Sequence, residues 1–120
     1  MKVLVVDDQR VNRTLPAVLL RQQGCEVLEA ECGEDALRLI DSHGFQAILL
    51  DVSMPGISGT ELCRQLRSRP EFGGVRIIAY TAHAMEVERQ RYLAGGFDAV
   101  ITKPVTIGAL KDVVGDAPNE

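Results

Sequence analysis

Five polar residues that could bind a cation and a phosphoryl group follow four short apolar runs. Asp7 and Asp8 follow the first run, and Asp51 follows the second. Thr81 and Lys103 follow the other two. Carboxylate oxygens suit hard divalent cations such as Mg²⁺, a hydroxyl can donate a hydrogen bond, and an ammonium neutralises phosphate oxygens as a point charge. These residue types suggest phosphoryl-transfer chemistry if the fold brings them together.

The apolar runs alternate with amphipathic stretches. Continuous hydrophobicity is typical of buried parallel strands, whereas a 3.6-residue period is typical of helices. The predicted strands lie near residues 2–6, 26–30, 46–50, 75–80 and 99–102, and the predicted helices near 9–23, 34–43, 58–69, 84–95 and 106–114. This alternation predicts a three-layer α/β sandwich with a parallel sheet. The carboxyl ends of its strands would form the edge at which ligands bind.

Asp7, Asp8 and Asp51 would be crowded at that edge. Like charges this close raise each other's pKa, so the arrangement favours a bound cation. Asp51 ends the third, predicted central strand, and is therefore the best-placed nucleophile towards phosphorus; an aspartyl phosphate is an established covalent intermediate. Taken singly, Asp8 or Thr81 could instead be a helix N-cap. The combination of groups from four strands favours a site.

The composition predicts one acidic domain. A chain of 120 residues can hold a single core, and 13 basic against 17 acidic residues argue against a nucleic-acid-binding surface. The apolar runs are far shorter than the ~20 residues that span a bilayer, and no signal-peptide pattern is present. A cytoplasmic location is therefore expected. The three cysteines lack the spacing of metal ligands.

Pro16 interrupts the first helical pattern. A proline inside a helix removes the backbone bond to the residue four positions earlier, here Asn12. The sequence therefore allows either a helix kinked at Pro16 or a helix that starts later in this segment.

Four segments resemble the bacterial response-regulator receiver domain, and the similarity covers essentially the whole chain. They are VLVVDDQRVN at residues 3–12, ILLDVSMPGISG at 48–59, IIAYTAHA at 77–84 and AGGFDAVITKPV at 94–105. The resemblance implies a flavodoxin-like, doubly wound fold with strand order 2-1-3-4-5. The receiver domain would occupy residues 1–115, and residues 116–120 would be a C-terminal tail or a truncated linker.

The same resemblance implies Mg²⁺-dependent phosphorylation of Asp51 from a phosphohistidine donor. The donor would be a histidine kinase or a histidine phosphotransfer domain. Slow self-dephosphorylation would follow, so the domain would be a signalling switch for protein–protein interactions rather than a turnover enzyme. Mn²⁺ is expected to substitute for Mg²⁺.

The resemblance also assigns the site residues. Asp8, Asp51 and the backbone carbonyl of Ser53 would hold the metal, with Asp7 acting directly or through water. Thr81 and Lys103 would contact the phosphoryl group.

The segment IIAYTAHAM resembles receivers attached to hybrid sensor kinases, which pass phosphate to a histidine phosphotransfer domain. The chain is thus expected to be either a free single-domain regulator or a receiver from a longer protein with additional domains. We expect a monomer or weak dimer without direct contact to nucleic acid or membrane.

One position departs from the family pattern. Many receivers carry Tyr or Phe three residues before the lysine, and its ring turns inward on activation, whereas this chain has Val100. Tyr80 is a poor substitute because neighbouring strand residues point to opposite faces and Thr81 must face the site. We therefore expect the Thr81 loop to move without an aromatic rotation. His83 would either flank the path of an attacking water or be a plain surface residue.

Other families that use or bind phosphate fit less well. Phosphatases of the haloacid-dehalogenase type place their nucleophile in an Asp-x-Asp-x-Thr arrangement on the first strand, but here Asp7 and Asp8 are adjacent. A flavin-binding module would need a phosphate loop rich in Ser, Thr and Gly after the first strand. A receiver-like domain that binds partners without phosphorylation usually lacks an acidic or lysine position that this chain retains.

Overall fold

The computed structural model describes residues 1–114. The strands are β1 Lys2–Val6, β2 Glu26–Ala30, β3 Ala47–Asp51, β4 Arg76–Thr81 and β5 Ala99–Thr102. The helices are α1 Arg10–Gln22, α2 Gly33–Ser42, α3 Gly59–Arg67, α4 Glu86–Ala94 and α5 Ile107–Val114. The predicted tail at 116–120 and the domain boundary at 115 lie outside the described residues.

All five strands form one parallel sheet in the order β2-β1-β3-β4-β5. This confirms the predicted doubly wound α/β fold. Strand β3 is central in this order, and every residue of Ala47–Asp51 is buried, as expected for a strand covered on both faces.

Side chains alternate between two cores on opposite faces of the sheet. Leu4 and Val6 of β1 face a core with α2 and α3, whereas Val3 and Val5 face a core with α1 and α5. This alternation follows from the two-residue period of a strand. The sheet is thus covered on both sides, and its carboxyl edge is left open between the loops.

The ends of β3 and β4 differ slightly from the prediction. Asp51 and Thr81 are the last residues of their strands rather than the first residues of the following loops. Backbone pairing with the neighbouring strands continues through both positions, as Asp51 pairs with Tyr80 and Thr81 with Thr102. Both side chains are thereby held by the sheet.

Helix α1 runs through Pro16 without interruption. The alternative of a later start is wrong, because the helix begins at Arg10, well before Pro16. Pro16 is buried beside Ala17 and Leu20, so its ring contributes to the face that packs on the sheet. That packing offsets the missing backbone hydrogen bond.

A short 3₁₀ helix at Pro70–Phe72, which the periodicity did not predict, joins α3 to β4. The longest helix between residues 1 and 114 is α1, with 13 residues. Within this part of the chain, no helix has both the length and the hydrophobicity needed to cross a membrane.

Candidate functional site

Asp7 is fully buried just beyond β1, and three hydrogen bonds hold it. Its backbone N–H donates to the Ala30 carbonyl at 3.1 Å, and its own carbonyl accepts from Arg13 Nη1 at 2.9 Å. The Gln9 backbone N–H donates to Asp7 Oδ1 at 2.8 Å. The second carboxylate oxygen, Oδ2, is thereby left for other partners. Asp8 is half-buried beside it.

Asp51 ends β3 with a side chain that is only 6% exposed. The Ser53 backbone N–H donates to its Oδ1 at 3.2 Å. Behind it, the first residue of α3, Gly59, packs so closely that an added Cβ would clash with the Asp51 carbonyl and lie 2.8 Å from Val52 Cα. The close approach of α3 to the end of β3 therefore depends on this glycine.

Asp7, Asp8 and Asp51 each offer a carboxylate oxygen within 4.8 Å of the other two. This confirms that the strand ends bring the three acids together. Asp7 Oδ2 is buried, and Lys103 Nζ lies 2.8 Å from it. A buried acceptor of this kind is costly unless a cation or donor satisfies it. The set of hard oxygen atoms fits Mg²⁺, which binds carboxylates and retains several waters.

Lys103 provides the positive charge. Its Nζ lies 2.8 Å from Asp7 Oδ2 and 3.4 Å from Asp51 Oδ1, and its side chain is only 13% exposed. The shorter of the two contacts, with Asp7, is an ion pair with a fully buried carboxylate. The backbone N–H of Lys103 donates to the Thr81 carbonyl at 2.8 Å, which joins the ends of β4 and β5.

The surroundings of Asp51 disfavour its charged form. Burial raises its pKa to about 6, and the neighbouring Asp7 charge and a hydrogen bond with Asp8 add to the rise. The Ser53 amide and Lys103 oppose it. A divalent cation would favour the ionised carboxylate by the same electrostatic logic.

Thr81 is only 4% exposed, and its hydroxyl forms hydrogen bonds with the loop that follows β4. It accepts from the His83 backbone N–H at 3.0 Å and donates to the His83 carbonyl at 3.2 Å. The His83 residue itself is exposed, as expected for a surface position. Thr81 therefore reaches the site edge with its hydroxyl directed into the loop.

These residues surround one open cleft of about 280 Å³. It is lined by Asp8, Gln9, Asp51, Ser53, Thr81, Ala82, His83 and Lys103. The predicted residues from four strand ends thus meet at one place. The ligation by the Ser53 carbonyl stays a prediction.

Val100 and Tyr80 lie on opposite faces of the sheet. Val100 is buried in the core beside α2 and α3, and Tyr80 in the core beside α1 and α5. Burial raises the Tyr80 pKa to about 12, with Asp7 adding to the rise and a hydrogen bond with the Val105 backbone opposing it. The sequence argument that Tyr80 points away from the Thr81 face is confirmed.

Two residues that hold the site were missed by the sequence reasoning. Arg13 reaches the Asp7 carbonyl from α1, and nothing in the local pattern distinguishes it from the other arginines of that helix. Gly59 lies within a segment quoted above, and a glycine at a helix start is the signal that could have indicated a close approach.

Comparison with known proteins agrees with this geometry. The chain matches the response regulator receiver domain family over residues 3–115. It is 40% identical to part of the virulence sensor protein BvgS of Bordetella pertussis, with 98% of this chain and 10% of that protein covered. It is 34% identical to the polar-differentiation response regulator DivK of Brucella ovis, with 96% of this chain and 97% of DivK covered. The chain therefore spans about a tenth of the sensor protein and nearly all of DivK.

Among solved structures, the receiver domain of sensor histidine kinase PA1611 from Pseudomonas aeruginosa is similar, with a TM-score of 0.83 and 30% identity. The match covers 94% of this chain and 93% of that one. That structure has a magnesium ion coordinated in its active-site cleft. With the family match over almost its full length, this chain belongs to the response-regulator receiver domains of two-component systems.

Proposed function

We propose that the chain accepts a phosphoryl group on Asp51 from a phosphohistidine donor in a Mg²⁺-dependent reaction. The observation that supports this most directly is the meeting of three carboxylates and Lys103 at the carboxyl edge of the sheet. The magnesium in the cleft of the PA1611 receiver domain supports the choice of metal. Asp7, Asp8 and Asp51, with the Ser53 carbonyl, would hold it, and Mn²⁺ would be an acceptable substitute.

In the proposed reaction, a carboxylate oxygen of Asp51 attacks the phosphorus atom. The bond between phosphorus and the donor imidazole nitrogen breaks, and its electron pair stays on that nitrogen. Asp51 must be ionised to attack, and a pKa of about 6 leaves it mostly ionised at neutral pH. The bound cation would supply neutralisation of phosphoryl oxygens.

Lys103 and Thr81 would bind the transferred group. The Lys103 ammonium already lies within 3.4 Å of Asp51 Oδ1, so a small shift would bring it to a phosphoryl oxygen. Thr81 would have to exchange its hydrogen bonds to the His83 backbone for one to the phosphoryl group. That exchange would move the loop after β4 and so alter the surface presented to partners.

Hydrolysis would return the domain to its resting state. Water would attack the acyl phosphate, releasing inorganic phosphate and restoring the Asp51 carboxylate. The cleft is open to solvent beside Ser53 and His83, which gives water a path. The donor would be a histidine kinase or a histidine phosphotransfer domain. The chain would act either as a single domain, as its coverage of nearly all of DivK suggests, or as one domain of a longer sensor protein.

Incubation with Mg²⁺ and acetyl phosphate or phosphoramidate tests the proposal. We expect a mass increase of about 80 Da that is stable to acid and labile to base, as an acyl phosphate requires. The adduct should be absent without Mg²⁺ and absent in Asp51→Asn. Persistence of the adduct in that variant, or no adduct in the wild-type protein, would contradict the assignment.

A further inference from the structure

We propose that Arg13 is a positioning residue that holds the turn carrying Asp7 and Asp8 in the geometry required for metal binding. The proposal deepens the proposed function and rests on it. Arg13 lies on α1 and would not contact the metal or the phosphoryl group. Its effect would pass through the backbone of Asp7.

Arg13 ties three parts of the fold together with one guanidinium. Its Nη1 donates to the Asp7 carbonyl at 2.9 Å, and its Nε donates to Glu29 Oε1 at 3.1 Å. The Arg13 side chain is only 14% exposed, whereas Glu29 lies at an exposed position. Helix α1, strand β2 and the turn after β1 are thereby joined. The rigid, planar guanidinium suits this task because its donors point in fixed directions.

The contacted carbonyl determines where both acids lie. The Asp7 carbonyl belongs to the same planar peptide unit as the Asp8 nitrogen, so fixing the carbonyl fixes the orientation of that unit. The Asp7 nitrogen is already held by Ala30, and Asp7 Oδ1 by the Gln9 amide. The bond from Arg13 completes these restraints, leaving Asp7 Oδ2 beside Lys103 Nζ.

Arg21 provides a matched comparison on the same helix. It contacts the other oxygen of the same carboxylate, Glu29 Oε2, at 3.3 Å and donates to the Val27 carbonyl at 3.0 Å. It therefore also links α1 to β2, but its backbone acceptor lies within the strand rather than in the turn that carries the acids. Because the Arg13 side chain is 14% exposed and that of Arg21 is 49% exposed, the comparison is made on Mg²⁺ affinity. A purely structural role predicts that neither arginine affects it, whereas positioning predicts that Arg13 does.

The experiment measures Mg²⁺ affinity by calorimetry and, separately, urea unfolding in EDTA. The variants are Arg13→Lys, Arg13→Met and the control Arg21→Lys, all in the full chain. Because partners that orient metal ligands contribute roughly 10–100-fold to metal affinity, both Arg13 variants should bind Mg²⁺ about 10-fold more weakly. Arg21→Lys should keep the wild-type affinity for Mg²⁺, even if its free energy of unfolding falls by as much as that of the Arg13 variants.

Arg13→Met also separates geometry from charge. Removal of a nearby cation by itself would strengthen Mg²⁺ binding to the acids, whereas loss of positioning weakens it. The inference is overturned if Arg13→Lys and Arg13→Met bind Mg²⁺ as tightly as wild type or more tightly, or if Arg21→Lys weakens binding equally. Either outcome leaves the proposed function standing. If one Arg13 variant is unfolded in EDTA, the other decides. Failure of the wild-type protein to bind Mg²⁺ would instead overturn the proposed function and this inference with it.

Discussion

Lys103 Nζ lies closer to Asp7 Oδ2, at 2.8 Å, than to Asp51 Oδ1, at 3.4 Å. The lysine thus compensates charge on both acids, and most directly on the one that the proposed reaction leaves unmodified. A divalent cation among the carboxylates would share this role. Lys103 would then be free to shift towards a phosphoryl group on Asp51.

Removal of Lys103 should destabilise the metal-free protein. In Lys103→Met, Asp7 and Asp51 would keep their buried charges without a cation, and loss of one partner of a buried pair costs roughly 3–5 kcal/mol. We expect a loss of about 3 kcal/mol in urea unfolding with EDTA at neutral pH. Mg²⁺ should restore much of it. Lys111→Met, at an exposed position of α5, is the control. A Lys103→Met protein as stable as wild type would contradict this reading of the ion pair.

Asp51 should make stability depend on pH when no metal is present. Its pKa is raised from 3.8 to about 6 in the folded protein, chiefly by burial. The folded state therefore binds this proton more tightly than the unfolded chain does. The associated stability is fully present below pH 3.8 and is lost as the pH rises through about 6.

Asp51→Asn removes this ionisation, and Lys103 keeps Asp7 as a partner. At neutral pH in EDTA the variant should be more stable than wild type, by up to about 3 kcal/mol. The difference should disappear below pH 3.8. Urea unfolding across this pH range measures it, with Glu31→Gln as a control for an exposed carboxyl. No gain at neutral pH would mean that Asp51 ionises without cost.

Mg²⁺ should stabilise the native protein through the three acids. Mass action gives about 2.7 kcal/mol when free Mg²⁺ is one hundred times its dissociation constant. The melting temperature should therefore rise with Mg²⁺ concentration in wild type and respond much less in Asp8→Asn. Glu71→Gln, at an exposed residue of the 3₁₀ helix, should respond like wild type. Equal responses from Asp8→Asn and wild type would remove Asp8 from the ligand set.

Gly59→Ala should disturb the backbone at Asp51. The added Cβ would clash with the Asp51 carbonyl and lie 2.8 Å from Val52 Cα, so α3 or the end of β3 must move. Overpacking of this kind costs about 1–3 kcal/mol, and we expect slower phosphorylation of Asp51 as well. Gly44→Ala is the control, since nothing lies within 4 Å of its added Cβ. Unfolding and adduct formation equal to wild type would show that the junction adapts freely.

Tyr80 should keep its position when the site is activated. Its ring is buried on the face of α1 and α5, with Lys103 Nζ 5.0 Å from the ring centroid, while Val100 occupies the position of the usual aromatic residue. Structures with and without Mg²⁺ and beryllofluoride should differ in the Thr81 loop but not in the Tyr80 rotamer. A Tyr80 ring turned into a pocket beside Thr81 would contradict this expectation.

The local pattern of the chain was enough to predict the succession of strands and helices along the sequence. It was also enough to select the five polar residues of the candidate site. The burial of β3 is visible in the unbroken apolar run at residues 47–50, and Asp51 stands out because it directly follows that run. Parallel strands alone place Asp51, Thr81 and Lys103 on one edge of the sheet, because the carboxyl ends share that edge. The order of the strands in the sheet needed the family resemblance.

Only the tertiary structure decided how these groups are supported. Contacts such as Arg13 with Asp7, Gly59 with Asp51 and Lys103 with both acids depend on how α1, α3 and the β5 loop pack on the sheet. Periodicity tells which face of an element is buried, but it does not specify which atoms of distant segments meet. The chemistry of the site was therefore readable from residue types, whereas its distances, its raised Asp51 pKa and its supporting arginine required the packed fold.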